Sequence, residues 1–595
     1  MRLFRDRTSL TLIITTLIFL SINYDRALFK LLLTYSDSMP EAYLIEGLIA
    51  TGLCGLGVLL LRARLAWQWP TRLQWFIGLS LTAISLTTHW LMRDHFFYIE
   101  EYIWLLSSFH NAANDSLATY GQYYHFFPFI LVRSWFGEQV GPFVFTSLVL
   151  HSLVGITVYI LVNKLTEKPW LSWTTAAIYL TLPSYLDGTR WFFVFMGNSW
   201  ILLGLLMSLY YYWQFLENED KRPLPAYYYW LSLLIGAYIL KIGLVRAAIL
   251  PLAIAMFELI RLKSWGWPRL KRIAVRLLPF GLLALFFYLQ SQTQLNNASA
   301  NQQLTPMLFL GRSLASLTQL LPAELYVEMN HYLISYEWFR NLKLAGTSTV
   351  AIGAILLWII TLLPITLTIR DDSRSKLAWL AWGWLIILFL PSMISGPQLP
   401  QAIDKIDTWF VSDLEYMPGS RYLQTSAIGL AMLLAIGLDK ITENALVIRW
   451  PKIFKPLSIF FRGLITAGLV LWLGRSSWNA HTNFTQKFSL SNRRYIEQIL
   501  ALIPRDGKVK FFTEARNDKI EPHGPIRGIF LGHNNFEAYY SPGELKYFPD
   551  VTSLTAAHLE RPDVPIYAYT WDEATRSVTP YDKDKFITIL KAIER

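Results

Sequence analysis

Gln74-Trp75-Phe76-Ile77-Gly78-Leu79-Ser80-Leu81-Thr82-Ala83-Ile84-Ser85-Leu86-Thr87-Thr88-His89-Trp90-Leu91-Met92 runs directly into Arg93-Asp94-His95-Phe96-Phe97-Tyr98-Ile99-Glu100-Glu101-Tyr102. The first part carries no formal charge and is close to the roughly 20 residues a helix needs to cross about 30 Å of hydrocarbon. The second part crowds three carboxylates where such a helix would meet water. Working outward, similar apolar runs fall near 8–24, 42–61, 142–162, 170–186, 194–215, 226–241, 246–261, 273–290, 348–368, 377–396, 422–438 and 456–474. With 74–92 they make about thirteen transmembrane helices, so the expected fold is mainly α and polytopic in a membrane.

Composition supports this. The chain has 595 residues, of which 53% are hydrophobic, 15% aromatic and only 16% charged, and its mean hydropathy is +0.33. That is too apolar for a soluble multidomain protein. The net charge of +11 would suit nucleic acid, but the basic residues sit in short loops between apolar runs, which is an orientation signal of membrane proteins. Nucleic acid is therefore excluded as a partner. The single cysteine, Cys54, rules out an intrachain disulfide and a Cys-based metal site. Met1 to Arg7 precede an apolar run without a small-residue cleavage site, so a retained first helix is expected.

Loop charge gives the topology. Arg2, Arg5, Arg7, Arg62, Arg64, Lys164, Lys168, Lys221, Arg261, Lys271, Arg370, Arg374, Lys440 and Arg449 collect on one side, expected to be cytoplasmic together with the N-terminus. The other side holds Asp94, Glu100, Glu101, Asp187, Glu324, Asp404 and Glu415, and it is expected to be extracytoplasmic. Three segments on that side stand out. The loop 93–141 is aromatic-rich and the loop 291–347 opens on a polar run, and both suit helices lying in the interface. The tail 479–595 turns charged and Pro-containing. It reads as a small extracytoplasmic α/β domain, with a helix near 490–502, a strand at 508–513, a hairpin over 566–578 and a last helix at 582–593. The domain boundaries that follow are a hairpin at 1–73, a transmembrane core at 74–478 and the tail at 479–595.

Charges at the lip of a span are costly and each is a functional-site hypothesis. On a helix Glu100 and Glu101 diverge by about 100 degrees, so only one points squarely into a cavity. Asp94 lies about two turns earlier and can share a face with one of them. A carboxylate in a dry site can take the proton of a hydroxyl nucleophile. Four cations lie at turns on the same side: Arg190 in Asp187-Gly188-Thr189-Arg190-Trp191, Lys241 and Arg246 between two spans, and Arg421 before a late span. Together they suit a phosphate, which Arg grips by paired hydrogen bonds and Lys as a point charge. The plainer reading is that the acids mark the membrane edge and the cations snorkel to lipid headgroups.

The order of these features resembles a family. Phe96-Phe97-Tyr98-Ile99-Glu100-Glu101-Tyr102 is similar to the acidic-pair motif in the first large outer loop of GT-C superfamily glycosyltransferases, such as protein O-mannosyltransferases and the lipid A aminoarabinose transferase. Tyr124-His125-Phe126-Phe127-Pro128, Phe136-Gly137, Pro142-Phe143 and Leu150-His151-Ser152 resemble the pattern that closes that loop and opens the next helix. Leu240-Lys241-Ile242 with Leu250-Pro251-Leu252 is similar to the family's Lys-bearing turn and proline helix, and Ser420-Arg421-Tyr422 to its late Arg-Tyr. These short motifs span most of 74–440, which makes the core GT-C-like and the hairpin before it an addition.

The resemblance implies an enzyme that transfers a sugar, with inversion, from a polyprenyl-phosphate-linked donor to a glycan, lipid or protein acceptor. By motif position the catalytic base maps to Glu100 and its partner to Glu101. The family's usual Asp is a Glu here, so Asp94 stays open as the base. Lys241 and Arg421 would hold the carrier phosphate, with Arg190, Arg246, Asp187 and His151 as further substrate or lipid-phosphate contacts. No cofactor is expected, since the acids show no ligand-spaced cluster for a metal. A bacterial inner membrane is the expected location. The rival readings are a flippase or transporter of lipid-linked glycan, an envelope glycan polymerase or ligase, and a non-catalytic assembly protein.

Overall fold

The computed structural model describes residues 39–62, 65, 71–95, 127–137, 139–183, 192–219, 224–242, 249–261, 266–295, 320–321, 347–387, 423–447, 454–504, 506, 508–514, 545–548, 551–572, 574–581 and 588. The protein is mainly helical, and four of its helices are long and apolar enough to cross a membrane by length and composition. Helices stand where twelve of the apolar runs lead one to expect them; the first run, 8–24, lies outside the described residues.

In chain order these helices are α1 Met39–Arg62, α2 Arg72–Thr88, a 3-10 turn Trp90–Asp94, α3 Phe127–Phe136, α4 Val140–Thr166, α5 Pro169–Thr181, α6 Phe192–Glu217, α7 Leu224–Ile242, α8 Leu250–Ile260, α9 Trp267–Leu295, α10 Thr347–Thr368, α11 Asp372–Ile387, α12 Gln424–Val447 and α13 Phe454–Phe484. Several boundaries differ from the hydropathy reading, and two of them bear on the site. The run at 74–92 leaves the α-helix after Thr88 and tightens into the 3-10 turn, while the run ending near 474 continues as helix to Phe484.

Start and stop signals are local. Thr71 and Gln74 form a capping box at the start of α2, each side chain taking the other's backbone N–H. Pro169 opens α5, where its missing N–H costs nothing. Gly137, at φ +61, follows the last residue of α3 in the left-handed conformation that glycine adopts without strain.

Packing centres on α5. Its residues Leu171, Ser172 and Thr174–Thr181 are buried, and it touches α2, α4, α12 and α13. Small side chains let these backbones come close, since lipid tails offer no hydrophobic drive for helix association. Gly155 of α4 is an instance: a Cβ there would lie 2.7 Å from the Leu180 side chain. At Gly429 of α12 a Cβ would meet backbone of α11, 2.6 Å from both Ala381 O and Leu385 N. Around this centre α6 packs on α4 and α7, α7 on α1 and α9, and α12 on α10, α11 and α13. Large apolar side chains such as Phe76, Leu79, Phe145, Ile359, Phe460 and Leu471 face outward, as lipid-contacting positions do.

After α13 the chain continues through a π-helical turn, Thr485–Ser489, into α14 Leu490–Leu502. Four strands follow, β1 Lys510–Glu514, β2 Leu545–Tyr547, β3 Ile566–Asp572 and β4 Ser577–Pro580, with α15 Val551–Glu560 between β2 and β3. The sheet order is β2-β1-β3-β4. β1 runs parallel to both neighbours and β3 antiparallel to β4, which gives the expected hairpin. Gln498 of α14 ties onto β4, accepting from the Val578 N–H at 2.7 Å. The expected helix at 582–593 lies outside the described residues.

Candidate functional site

One end of the helix bundle is basic and ionic. There Lys164 pairs with Glu217 at 2.7 Å. Arg276 bridges Glu219 and the buried Glu258, and Tyr212 donates to Glu258 at 2.7 Å. A second network joins α11, α12 and α13, in which Arg374 contacts Asp371, Asp439 and Glu443 while Arg462 contacts Asp439. Arg462 also lies over the Trp170 ring, 5.8 Å from its centre.

The buried layer at the other end is polar without formal charge, and the reason starts with α5. This helix has thirteen residues and stops inside the bundle. A helix end leaves its last carbonyls without intrahelical partners, and in a buried place something must meet them. Leu182 N–H bonds the Ile178 carbonyl at 2.9 Å. Ser477 Oγ donates to the Thr181 carbonyl at 2.8 Å. The Leu180 carbonyl takes His89 Nε2 at 3.1 Å, and His151 reaches the same carbonyl.

From that carbonyl a chain of histidines runs back across the bundle. His89 Nδ1 lies 2.8 Å from His481 Nε2, and His481 Nδ1 lies 3.2 Å from His95 Nε2. The three rings are almost wholly buried. His151 closes on the group from α4, its ring centre 5.0 Å from that of His89 and 5.6 Å from that of Tyr179. The polar layer continues through Gln424 at the start of α12, which reaches the Tyr179 hydroxyl and donates to Ser199 Oγ at 3.0 Å.

The tautomers follow from the carbonyl. An oxygen of this kind only accepts, so His89 carries its proton on Nε2 and accepts at Nδ1. His481 then donates from Nε2 and accepts at Nδ1, and His95 donates from Nε2. The chain therefore has one direction, from His95 toward Leu180. It is assigned from the hydrogen-bond pattern, since hydrogens are placed by the network they satisfy. His481 meets its two partners through different nitrogens, so no point is surrounded by three of them. Among the described residues no group of three or more His, Cys, Asp or Glu could hold a metal ion.

The residues singled out from sequence fall unevenly on this arrangement. His151 is in the layer, fully buried rather than open to a ligand at the surface. Asp94 ends the 3-10 turn, partly exposed, its carboxylate 3.5 Å from Arg93 Nε. Lys241 sits in the last turn of α7, half-buried. Glu100, Glu101, Asp187, Arg190, Arg246 and Arg421 lie outside the described residues. His95 is the last described residue before Glu100 and Glu101, and Leu423 the first after Arg421.

The sequence reading gives His89, His95 and His481 no role. The signal available was their rarity and position, because a histidine in or beside an apolar run is expensive and marks a site by default. The same signal, an acid within the run 246–261, points to Glu258. No protein-family model and no curated protein matches this chain.

Proposed function

We propose that the protein is a polytopic glycosyltransferase of GT-C-like architecture, with about thirteen spans and an extracytoplasmic α/β domain over 479–595. It transfers a sugar from a polyprenyl-phosphate-linked donor to an acceptor at the histidine end of the bundle, which we read as the extracytoplasmic side because the basic loops favour the other one, in what we take to be a bacterial inner membrane. The reaction is a displacement at the anomeric carbon. An acceptor hydroxyl attacks, a carboxylate among Glu100, Glu101 and Asp94 takes its proton, and the carrier phosphate leaves. Lys241, Arg421 and, with weaker motif support, Arg190 and Arg246 would neutralise charge on the leaving group, which is usually the largest electrostatic term in such a step.

One observation carries this reading beyond the motifs. The helix that precedes the acidic stretch does not continue straight into it. It stops at Thr88, and the chain turns on His89 and His95, both held in a buried hydrogen-bonded layer. Charges that merely mark a membrane edge need no such support.

The test is transfer of radiolabelled sugar from polyprenyl-phosphate donors in membranes holding the wild-type chain or Glu100→Gln, Glu101→Gln or Asp94→Asn. Loss of about a hundredfold or more in at least one variant is expected for removal of a general base. Unaltered transfer in all three overturns the acid site, and movement of the lipid-linked glycan across the membrane without sugar transfer favours the flippase reading.

A further inference from the structure

We propose that the outward face of α9 seats one anionic phospholipid of the leaflet at the basic end of the bundle, with Lys271 and Arg272 on its phosphate and Val275, Leu278, Leu282 and Leu285 along an acyl chain. Such a seat would exist whatever reaction the protein performs.

The pattern starts in the sequence of α9. Trp267, Lys271, Val275, Leu278, Leu282 and Leu285 recur every three or four residues, so they share one face of the helix. All six are exposed, and Arg272 stands beside them with its side chain 63% exposed. The opposite face is the packed one. Phe280 there is fully buried, Arg276 turns inward to Glu219 and Glu258, and the Tyr229 hydroxyl donates to the Arg276 carbonyl at 2.9 Å. Helices α7 and α8 lie against α9. The helix therefore ends one way in protein and the other way in a stripe that is cationic at its start and apolar along its length.

The stripe has the dimensions of a lipid. From Val275 to Leu285 the helix rises about 15 Å, half of the roughly 30 Å hydrocarbon layer and so the depth of one leaflet. Lys271 lies about 6 Å nearer the helix start, at the level of a phosphate, and Trp267 one turn beyond it, where amphipathic rings settle among headgroups. Charge selects the headgroup. Lys271 and Arg272 are adjacent, and Arg261 is exposed at the end of α8. The acid beside Arg272, Glu219 at 3.5 Å, is also held by Arg276. A phosphodiester without an ammonium group gains from these cations, Arg272 by paired hydrogen bonds and Lys271 as a point charge. A zwitterionic headgroup brings an ammonium that the same cations repel. A further helix laid on the stripe would have to bury Lys271 in an apolar contact, which is costly.

The test titrates the full chain in detergent with phosphatidylglycerol or with phosphatidylcholine of the same acyl chains, and counts retained lipid by native mass spectrometry. Each cation near an anionic headgroup is worth about fivefold in binding, so the wild-type chain should prefer phosphatidylglycerol by about 25-fold. Lys271→Gln and Arg272→Gln should each lower that preference about fivefold and together abolish it, while Lys271→Arg keeps it. Both side chains are exposed, so the melting temperatures without lipid should match the wild type. Equal retention of the two lipids by the wild-type chain overturns the seat, and so does a preference that survives in the double variant. Glycerol 1-phosphate should not displace the bound lipid. Displacement would show a contact with the headgroup alone and would overturn the acyl part of the seat. A wild-type chain that retains neither lipid and migrates as a dimer would give the face to a second copy, which overturns the proposal as well.

Discussion

At the basic end of the bundle helices are tied by carboxylates and guanidinium groups, several of them buried. At the histidine end the same helices, α4, α5, α12 and α13 among them, are tied by imidazoles, hydroxyls and a carboxamide without formal charge. The difference lies in what each end can tolerate. A buried ion pair is unforgiving, because removing one partner strands the other in a dry place. A neutral donor–acceptor chain holds as firmly against unpairing, yet it can rearrange its protons without moving an atom heavier than hydrogen. The ionic end fixes the bundle by charge and the histidine end by neutral donors and acceptors.

The contrast can be broken most severely at Asp439, the one carboxylate among the described residues that meets both Arg374 and Arg462. Asp439→Ala should destabilise the protein by about 3–5 kcal/mol, the usual effect of stranding a buried partner. Thermal melting in detergent would show it. Changing Arg374, Asp439 and Arg462 together to apolar residues of similar volume should recover most of the loss, and no recovery would mean the ions do more than hold helices.

Next comes the packing between the two ends. Gly429→Ala puts a methyl group against the α11 backbone and should cost about 1–3 kcal/mol, as overpacking does. The same melting experiment checks it, and no loss would mean α11 and α12 can separate slightly at no cost.

At the histidine end His481→Leu should cost about 1–3 kcal/mol for the partners it leaves unsatisfied, while His481→Gln should be close to neutral. An equal loss in both would place the histidine layer with the ionic end, as a scaffold sensitive to shape alone.

The smallest effect belongs to Asp506, before β1. The Lys510 ammonium and the Lys508 N–H hold its carboxyl below the usual carboxylate range. A depressed carboxyl adds stability above its unfolded value and loses it as pH falls through the folded one. The wild-type chain should therefore melt slightly above Asp506→Asn at neutral pH, with the gap closing in acid below the usual carboxylate range. A gap that persists there would assign the effect to shape.

What the sequence discloses follows the length scale of each signal. Helix positions were readable because apolar runs such as 142–162 and 194–215 must match a bilayer, and they coincide with α4 and α6 to within a few residues. The hairpin at 566–578 was readable because its pairing is local. The histidine layer was not, since His95 and His481 lie 386 positions apart and only tertiary packing joins them. Nor was the end of α2, because Trp90, Leu91 and Met92 are as apolar as the helix before them, and the turn depends on what His89 meets across the bundle. Of the site residues expected from motifs, His151 took a place in the layer, Asp94 and Lys241 sit at helix ends, and the remainder lie outside the described residues.

The length of α5 has a mechanical consequence. Thirteen residues rise about 20 Å, against about 30 Å for the hydrocarbon layer. Its neighbour α4, at twenty-seven residues, rises about 40 Å. A bilayer that thickens or thins must adjust to the tall helices at its boundary, and each ångström of mismatch has a modest cost. The short central helix, buried along its C-terminal part from Thr174 to Thr181, is shielded from that load. The histidines fastened to its end are thereby insulated from the lipid composition of the membrane around them.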